Sequence, residues 1–543
     1  MLRLVPLGGL GEIGLNLLVV ETTDEAILID CGILFPRNAP GIERVLPDFT
    51  YLRTIRDKLR GVVLTHGHED HIGAVPYLLR EFDVPVWGSA FTLALLSRRL
   101  SEAGVDEARL WELEAGGVVR PGRDFSVEAV RITHSVPDAF ALNVETPEGR
   151  IVHTGDFKLD PTPLGPATDL ERLAELGRDG VLALLSDSTN SERPGRTPSE
   201  RSVGEALEPI FAFAEGRIVV ATFASNIHRI QQVIDLSAKY GRKVALYGRA
   251  IETNVMVAMQ TGHLRARADL FVEAEAVSAR RRNQVTILAS GAQGEPQSAL
   301  TRLAMGGDGL PFRLEPGDTA ILSASAIPGN EVAVAAVLDA LALQGVHVYH
   351  GERVHASGHA SQQEQMQMIE TVQPRHFVPV HGEGRHLVRH RQTAIAAGVD
   401  AERAHLLLDG QVLAFAEGRA MRASQVPAGR LYLDRQSGQL VEDDLVTERL
   451  LLGELGVVAA VVVVDATGGM VQPPAIVARG LAVMDAALER SLQEEIVRAF
   501  TRMEPARRRE EGAVEDEVRL AVRRAYQRAT GRRPLVIPVV VET

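Results

Sequence analysis

Four side chains of the types that bind metal ions lie within six residues near the start of the chain: His66, His68, Asp70 and His71. An apolar run at residues 62–64 precedes them and predicts a buried strand that ends in a loop. His66 and His68 can point the same way in an extended loop, and Asp70 and His71 follow on the turn into a helix. Because imidazoles and carboxylates suit divalent cations such as Zn²⁺, one such stretch can serve two metal positions, which lie about 3.5–4 Å apart in two-metal sites.

Further acidic and histidine residues stand at the ends of predicted strands, a common place for functional side chains. Five residues occupy such positions: Asp30, His134, Asp156, Asp187 and His381. His153 lies inside one of these strands and is interpreted as a packing residue or as a support for a ligand. A ligating histidine needs its second nitrogen fixed, so a carboxylate such as Asp30 is expected near the ligands.

The bulk properties limit the class of protein. The length of 543 residues predicts two to four domains, and the net charge of −13 means that an RNA or DNA site would be a local basic channel. The single cysteine, Cys31, excludes an intrachain disulfide and is expected to be buried. The N-terminal residues lack a signal-peptide pattern, and the longest apolar run, residues 457–464, is too short for a membrane span. We therefore expect a cytoplasmic protein without a membrane segment.

The glycine pattern at residues 9–14 matches Gly-x-Gly-x-x-Gly, and Asp30 follows where a dinucleotide fold places its ribose acid. That fingerprint requires a helix after its last glycine. Residues 15–21 instead predict a strand, which a turn joins to a second strand at residues 26–29. We therefore predict a hairpin, with glycines that let the backbone pass close to a neighbour.

The remaining patterns predict an α/β chain of several domains. Four strands predict a small inserted α/β domain: residues 217–222, 243–247, 284–288 and 318–323. Beyond a predicted linker, alternating strands and amphipathic helices predict a small α+β domain, with the arginine-rich run at residues 507–512 as a solvated loop. The predicted bounds are 1–205 and 348–430 for the first domain, 206–347 for the insertion, 431–448 for the linker and 449–543 for the C-terminal domain.

The His-x-His-x-Asp-His spacing at residues 66–71 resembles the metallo-β-lactamase superfamily, and His134 and Asp156 follow in its chain order. That resemblance implies an αββα sandwich. The insertion, followed by His359 and His381, resembles the β-CASP branch, whose members cut nucleic acids. Several stretches are similar to the bacterial ribonuclease J family in particular: residues 6–14, 291–296, 327–331, 355–359 and 379–383.

The resemblance implies two metal sites that share Asp156. The first takes His66, His68, His134 and Asp156, and the second takes Asp70, His71, Asp156 and His381. The donor types favour Zn²⁺, with Mn²⁺ as the alternative. The catalytic set is Asp70, His359 and Asp187: His359 is expected to protonate the leaving group or stabilise the pentacoordinate state, and Asp187 to orient His359 or a ligand. Asp30 would orient the metal-ligand loop.

A phosphate-binding pocket is expected beside the metals. Ser225 and Asn226 precede a predicted helix, whose N-terminus suits an anion. Ordinary helix capping by Ser225 is the alternative. Residues His355, Ala356, Ser357, Gly358 and His359 could close the same pocket from the first domain.

These features together predict a metal-dependent ribonuclease. The resemblance implies 5′-to-3′ exonuclease activity with a preference for 5′-monophosphate RNA, internal cutting as well, and roles in rRNA processing and mRNA decay. It also implies a homodimer or larger homo-oligomer through the C-terminal domain, and possible RNA-decay partners. One alternative is a hydrolase of DNA or of a small ester, and the inserted domain argues against the small ester. The other alternative is an inactive RNA-binding paralogue, which the full ligand set disfavours.

Overall fold

The structure is a computed structural model that describes residues 1–36, 39–327, 329–510 and 512–543. Pro328, in a stretch similar to the ribonuclease J family, and Glu511, in the arginine-rich run, lie outside the described residues. The chain divides into two units: Met1–Phe35 with Arg44–Arg430, and Pro36–Glu43 with Leu431–Thr543.

The first sheet of the larger unit has eight strands. Its strands in spatial order are Arg419–Arg422, Leu413–Ala416, Leu2–Gly8, Leu17–Glu21, Ala26–Ile29, Leu59–Val63, Val86–Gly88 and Leu110–Glu112. Leu17–Glu21 pairs antiparallel with Ala26–Ile29, so the predicted hairpin is present and the dinucleotide fingerprint is excluded. The glycines of the pattern do allow close approach, because a Cβ on Gly9 would lie 2.5 Å from Asn16 Oδ1 and a Cβ on Gly14 would lie 3.1 Å from the carbonyl oxygen of Ile33.

A second sheet of six strands packs face to face with the first. Its order is His376–Val380, Ala183–Asp187, Gly149–His153, Ala139–Thr146, Ser126–Ile132 and Val118–Val119. Leu4 and Ile29 of the first sheet join Leu142 and Leu185 of the second in one buried cluster. This cluster is the core of the sandwich, because each sheet turns an apolar face inward.

Helices cover the outer faces of both sheets. The helices of this domain are Thr50–Thr54, Glu69–Ile72, Val75–Glu81, Ala90–Glu102, Leu170–Asp179, Gln362–Val372 and Gly384–Ala396. Leu173 and Met368 from two of them pack on Val152 and Leu184 of the second sheet. The predicted αββα sandwich is therefore confirmed. A further strand, Ile42–Pro47, lies outside both sheets.

The inserted domain contains a six-stranded sheet in which every pairing is parallel. Its order is Phe271–Val272, Lys243–Tyr247, Val285–Ala289, Ile218–Ala221, Thr319–Leu322 and His347–His350. Its helices are Ile227–Lys239, Arg249–Gln260, Ala299–Met305 and Glu331–Leu343. Parallel strands need crossover connections, which explains the alternation of strands and helices in this segment.

Two bounds of the insertion differ from the prediction. His347–His350 pairs with Thr319–Leu322, so the chain returns to the first domain after this strand and not at residue 348. Helix Glu200–Phe213 runs through the predicted bound at residue 206 and packs on helix Ile227–Lys239. An unbroken helix cannot be divided between two domains, so the junction lies before it.

The smaller unit includes an α+β fold within the segment predicted as the C-terminal domain. Strand Val457–Val464 pairs antiparallel with Ala475–Arg479 and parallel with Leu535–Glu542. Helices Ala486–Arg502 and Ala513–Thr530 cover one face of this sheet through a common apolar core.

The predicted linker at residues 431–448 is not an unstructured connection. Strands Arg430–Asp434 and Leu440–Val441 form a hairpin, and helix Asp443–Leu455 follows. Asp443 and Asp444 lie in the first turn of that helix, where negative charge is favourable. Among the described residues, no helix combines the length and the apolar character that crossing a membrane requires.

Candidate metal centre

The first cluster of ligand-type atoms lies at the end of strand Leu59–Val63. His68 Nδ1 lies 3.0 Å from His66 Nε2 and 3.2 Å from His134 Nε2. Asp156 Oδ2 lies 3.6 Å from His66 Nε2 and 3.8 Å from His134 Nε2. Ligands bound tetrahedrally at zinc distances of about 2.0–2.1 Å are separated by about 3.4 Å. The four donors therefore have the spacing of one cation site.

A second cluster shares the same carboxylate oxygen. Asp156 Oδ2 lies 3.3 Å from His71 Nε2 and 3.5 Å from His381 Nε2. Asp70 Oδ2 lies 3.7 Å from His71 Nε2 and 3.8 Å from His381 Nε2. The other oxygen, Asp156 Oδ1, is buried and has no hydrogen-bond partner among the described residues. A buried carboxylate needs compensating charge, so this atom fits a pair of bound cations.

The sheets explain why residues so distant in sequence meet. Gly149–His153, Ala183–Asp187 and His376–Val380 are parallel neighbours in the second sheet. Their carboxyl ends therefore share one edge, and Asp156, Asp187 and His381 lie there. Asp30 and His381 have positive φ angles of 60° and 52°. Non-glycine residues adopt this region at a cost, so the surrounding contacts hold these two in place.

Hydrogen bonds fix the tautomers of the ligand histidines. His71 Nδ1 donates to Asp30 Oδ2 at 2.7 Å, and His134 Nδ1 donates to the carbonyl oxygen of Gly358 at 2.8 Å. Asp30 also accepts from the Thr65 backbone N–H at 2.8 Å and from its hydroxyl at 2.8 Å. Each bond directs the Nε2 nitrogen of the ring toward the cluster. Asp30 therefore lies against the loop that carries His66, His68, Asp70 and His71.

Asn16 is a further member of the site that the sequence analysis did not find. Its Oδ1 accepts from His381 Nδ1 at 2.9 Å, and its Nδ2 donates to the carbonyl oxygen of Asp70 at 2.9 Å. One amide thus connects two donors of the second cluster. The only sequence signal is its position just after Gly14, because glycine-rich turns often allow a close backbone approach.

The charges of the site suit metal binding. Burial lowers the pKa of His66 and His134 well below the usual range, and it lowers the pKa of His68 to about 4. These rings are neutral at pH 7 and can act as ligands. Burial also opposes protonation of His71, but Asp156, Asp30 and Asp70 outweigh it and raise its pKa well above the usual range. A cation in the second cluster must displace this proton, so metal binding there releases one.

His359 faces the same carboxylates from the opposite side. Its Nδ1 lies 2.8 Å from Asp187 Oδ2 and 3.9 Å from Asp156 Oδ2. Burial disfavours its charge, but Asp187 raises the pKa of His359 to about 9. Asp187 Oδ1 accepts from the backbone N–H and hydroxyl of Thr189. Asp156, Asp187, His359 and His381 also form a third group close enough to hold a cation, so a ligand role for His359 is the competing assignment.

The predicted phosphate-binding segments lie next to each other. Arg229, the third residue of helix Ile227–Lys239, donates to the carbonyl oxygen of Ala356 at 3.5 Å. The capping alternative is realised by Asn226, and not by Ser225, because Asn226 Oδ1 accepts from the Arg229 N–H at 3.1 Å.

The two residues outside the predicted site behave as expected. Cys31 is fully buried. His153 is buried and its Nδ1 accepts from the Gly155 N–H at 3.0 Å, which is a supporting role beside Asp156.

Comparison with known proteins agrees with this architecture. Four family models match the chain: "Metallo-beta-lactamase superfamily" at residues 11–188, "Ribonuclease J, beta-CASP domain" at 215–341, "Zn-dependent metallo-hydrolase RNA specificity domain" at 345–404 and "Ribonuclease J C-terminal domain" at 444–543.

Whole-chain relatives decide the family. Ribonuclease J of Thermus thermophilus is 39% identical over 555 residues, covering 99% of this chain and 95% of the relative. Ribonuclease J of Mycobacterium tuberculosis is 39% identical over 560 residues, covering 100% and 97%. The chain belongs to the ribonuclease J family. Ribonuclease J of Synechocystis is 42% identical over 502 residues, covering 91% of this chain and 78% of the relative. The predicted family and the predicted class of hydrolase are therefore confirmed.

A solved structure of low sequence identity shares the fold alone. A protein of unknown function from Enterococcus faecalis matches with a TM-score of 0.52 at 17% identity, covering 78% of this chain and all of that one.

Proposed function

We propose that this chain is a metal-dependent ribonuclease that hydrolyses RNA phosphodiester bonds with two divalent cations, Zn²⁺ first and Mn²⁺ as the alternative. The observation that carries the proposal is Asp156, whose Oδ2 is common to two His/Asp clusters and whose Oδ1 has no described partner. The cations would supply activation of the attacking water and stabilisation of charge on the phosphate. His66, His68, His134 and Asp156 hold the first, and Asp70, His71, His381 and Asp156 hold the second.

His359 supplies a proton to the leaving oxygen. Its Nδ1 is occupied by Asp187, so its Nε2–H is the group free to face substrate. The side chain is 20% exposed, whereas His71 and His381 are almost fully buried. A histidine that is held protonated near neutral pH and reaches solvent suits a general acid. Asp187 keeps that proton in place and orients the ring.

The chain prefers RNA with a 5′-monophosphate, which it degrades from that end, and it also cuts internally. The proposed pocket uses Ser225, just before helix Ile227–Lys239, and the pocket loop, residues 354–359, which Arg229 of that helix contacts at Ala356. The amide N–H groups of Ala356, Ser357 and Gly358 make no hydrogen bond within the described part of the chain. Ser357 Oγ already accepts from Asn190 Nδ2 and from the His359 N–H, so its hydroxyl hydrogen is left to donate. These amide and hydroxyl donors suit a terminal phosphate. His355 Nδ1 is buried and has no hydrogen-bond partner among the described residues, but burial lowers the pKa of this ring to about 3, so the ring is neutral and is not counted among the donors.

Time-resolved digestion of end-labelled RNA with different 5′ groups tests this proposal. Mononucleotides should be released faster from 5′-monophosphate than from 5′-triphosphate RNA, and chelation of metal should stop both. Ser357→Ala should reduce the 5′ preference more than it slows internal cutting. Ser278→Ala, on the exposed surface of the insertion, is the control. Shortening from the 3′ end, or equal rates on both 5′ ends, would exclude the pocket.

The C-terminal domain joins copies of the chain into a homodimer or larger homo-oligomer. The sheet face away from its helices exposes apolar side chains, with Val477 at 51%, Ile537 at 45%, Val539 at 40% and Val541 at 41%. Val477 and Ile537 flank Ala459 in register, so these side chains form one continuous patch. Such patches mark association surfaces. We also propose that the chain acts in RNA processing and mRNA decay in the cytoplasm, together with RNA-decay partners.

A further inference from the structure

The inserted domain contains a buried ion pair whose contacts lead to the metal centre. The Arg229 side chain is fully buried, and its Nε and Nη2 donate to the two oxygens of Glu200, at 2.5 and 2.8 Å. A buried pair of this kind adds little net stability over apolar residues of similar size, so its retention points to another role.

The Arg229 side chain also binds the pocket loop. Arg229 Nη1 donates to the carbonyl oxygen of Val354 at 3.3 Å, and Nη2 donates to that of Ala356 at 3.5 Å. Two residues further on, the carbonyl oxygen of Gly358 accepts from His134 Nδ1 at 2.8 Å. A Cβ on Gly358 would lie 2.7 Å from His134 Cε1, so the loop lies tightly against this ring. A shift of the loop must therefore turn His134.

Glu200, the other member of the pair, contacts the segment that follows Asp156. The backbone N–H of Glu200 donates to Asp160 Oδ2 at 2.9 Å. Asp160 lies four residues after Asp156, and the intervening Lys158 N–H donates to the carbonyl oxygen of Thr133 at 2.8 Å. The pair thus contacts the pocket loop, which bonds His134, and the segment that follows Asp156.

We propose that the Arg229–Glu200 pair positions His134 and the pocket loop, so that the inserted domain sets the geometry of the first metal site. Arg229 and Glu200 act as positioning residues and touch neither cation nor RNA. The inference rests on the proposed function, because it takes His134 as a ligand. Loss of a residue that orients a metal ligand lowers metal affinity or activity by about 10–100-fold.

Two variants separate positioning from folding. Arg229→Lys keeps the charge but cannot bond Glu200 and both carbonyls together, because an ammonium lacks the planar fork. The double variant Arg229→Met with Glu200→Leu removes both charges, and such replacements commonly leave stability intact. Arg217→Lys is the matched control, since Arg217 is also buried and paired, with Asp318 at 3.2 Å, and bonds only residues of the inserted domain.

The test is titration of the metal-free full chain with Co²⁺, followed by visible absorption, chelator competition and thermal unfolding. We expect the unaltered chain to bind Co²⁺ in two steps. In both variants, the Co²⁺ affinity of one step should fall about 10–100-fold and its visible spectrum should change, while the affinity of the other step should not change. The control should keep both steps. A double variant with unaltered unfolding temperature and two unaltered steps would overturn the inference. Fewer than two cations on the unaltered chain would overturn the proposed function, and this inference with it.

Discussion

Replacement of His359 by alanine should separate proton transfer from metal binding. The seven ligand side chains of the two shared-carboxylate clusters exclude His359, whose Nδ1 instead meets Asp187 at 2.8 Å. The variant should therefore keep two cations and lose the proton donor. General acid catalysis contributes about 10²–10⁴-fold, which corresponds to about 3–5 kcal/mol of the barrier. The loss should stay in this range because the cation ligands remain.

The assay compares two leaving groups on the same protein. On RNA, turnover by His359→Ala should fall about 10²–10⁴-fold, because an alkoxide leaves poorly without a proton. On a p-nitrophenyl phosphodiester, the fall should nearly vanish, because the phenolate leaves unprotonated. His405→Ala, which removes a histidine paired with His376, is the control. Loss of a cation from His359→Ala would show that the third carboxylate and histidine group is a ligand set. Equal slowing on both substrates would refute the general acid role.

The general acid role of His359 determines the direction in which pH should change RNA turnover. A general acid must be protonated, so RNA turnover should decline as the pH rises through the pKa of His359. Burial opposes the charged ring, but Asp187 raises this pKa to about 9 in the metal-free chain, and bound cations would lower it. Asp187→Asn removes the nearby negative charge, so its decline should begin at a lower pH. An unmoved decline in the pH–rate profile would exclude the pairing.

Three further predictions concern other parts of the chain. Asp156→Asn should reduce bound metal from two ions to fewer than one and nearly abolish cleavage, as elemental analysis and RNA digestion would record; full metal content would contradict the bridging role. Burial and the charge of Glu12 raise the pKa of Asp409 to about 7, above the ordinary value of about 3.9, so stability should decline as the pH rises through 7. Asp409→Asn should remove that decline in urea unfolding at pH 5 and pH 8. Val539→Asp should reduce the mass seen by light scattering without changing metal content, and an unchanged mass would exclude the exposed sheet face as the interface.

The two clusters of candidate metal ligands could be predicted because their chemistry is visible locally. Four donors fall within residues 66–71, and Asp156 and His381 follow apolar strands. Asn16 could not be found in this way, because its bond to His381 joins positions 365 residues apart. A single asparagine carries no spacing that points to such a partner.

Burial and strand pairing explain the other differences. Arg229 lies in an amphipathic helix, where an arginine predicts an exposed face, yet its side chain is wholly buried. The alternation at His347–His350 predicts a strand but not the sheet that it joins. Asp443 and Asp444 are equally suited to a linker and to the first turn of a helix.

The acidic character of the chain bears on how it attracts RNA. The net charge is −13, and Asp30, Asp70, Asp156 and Asp187 gather at the centre. Without cations these carboxylates repel phosphate, and two divalent cations bring four positive charges that match them. His359, held protonated by Asp187, then leaves the surface of the site with a positive charge. On the proposed function, RNA and metal should therefore favour each other's binding, and RNA should be drawn to the metal centre.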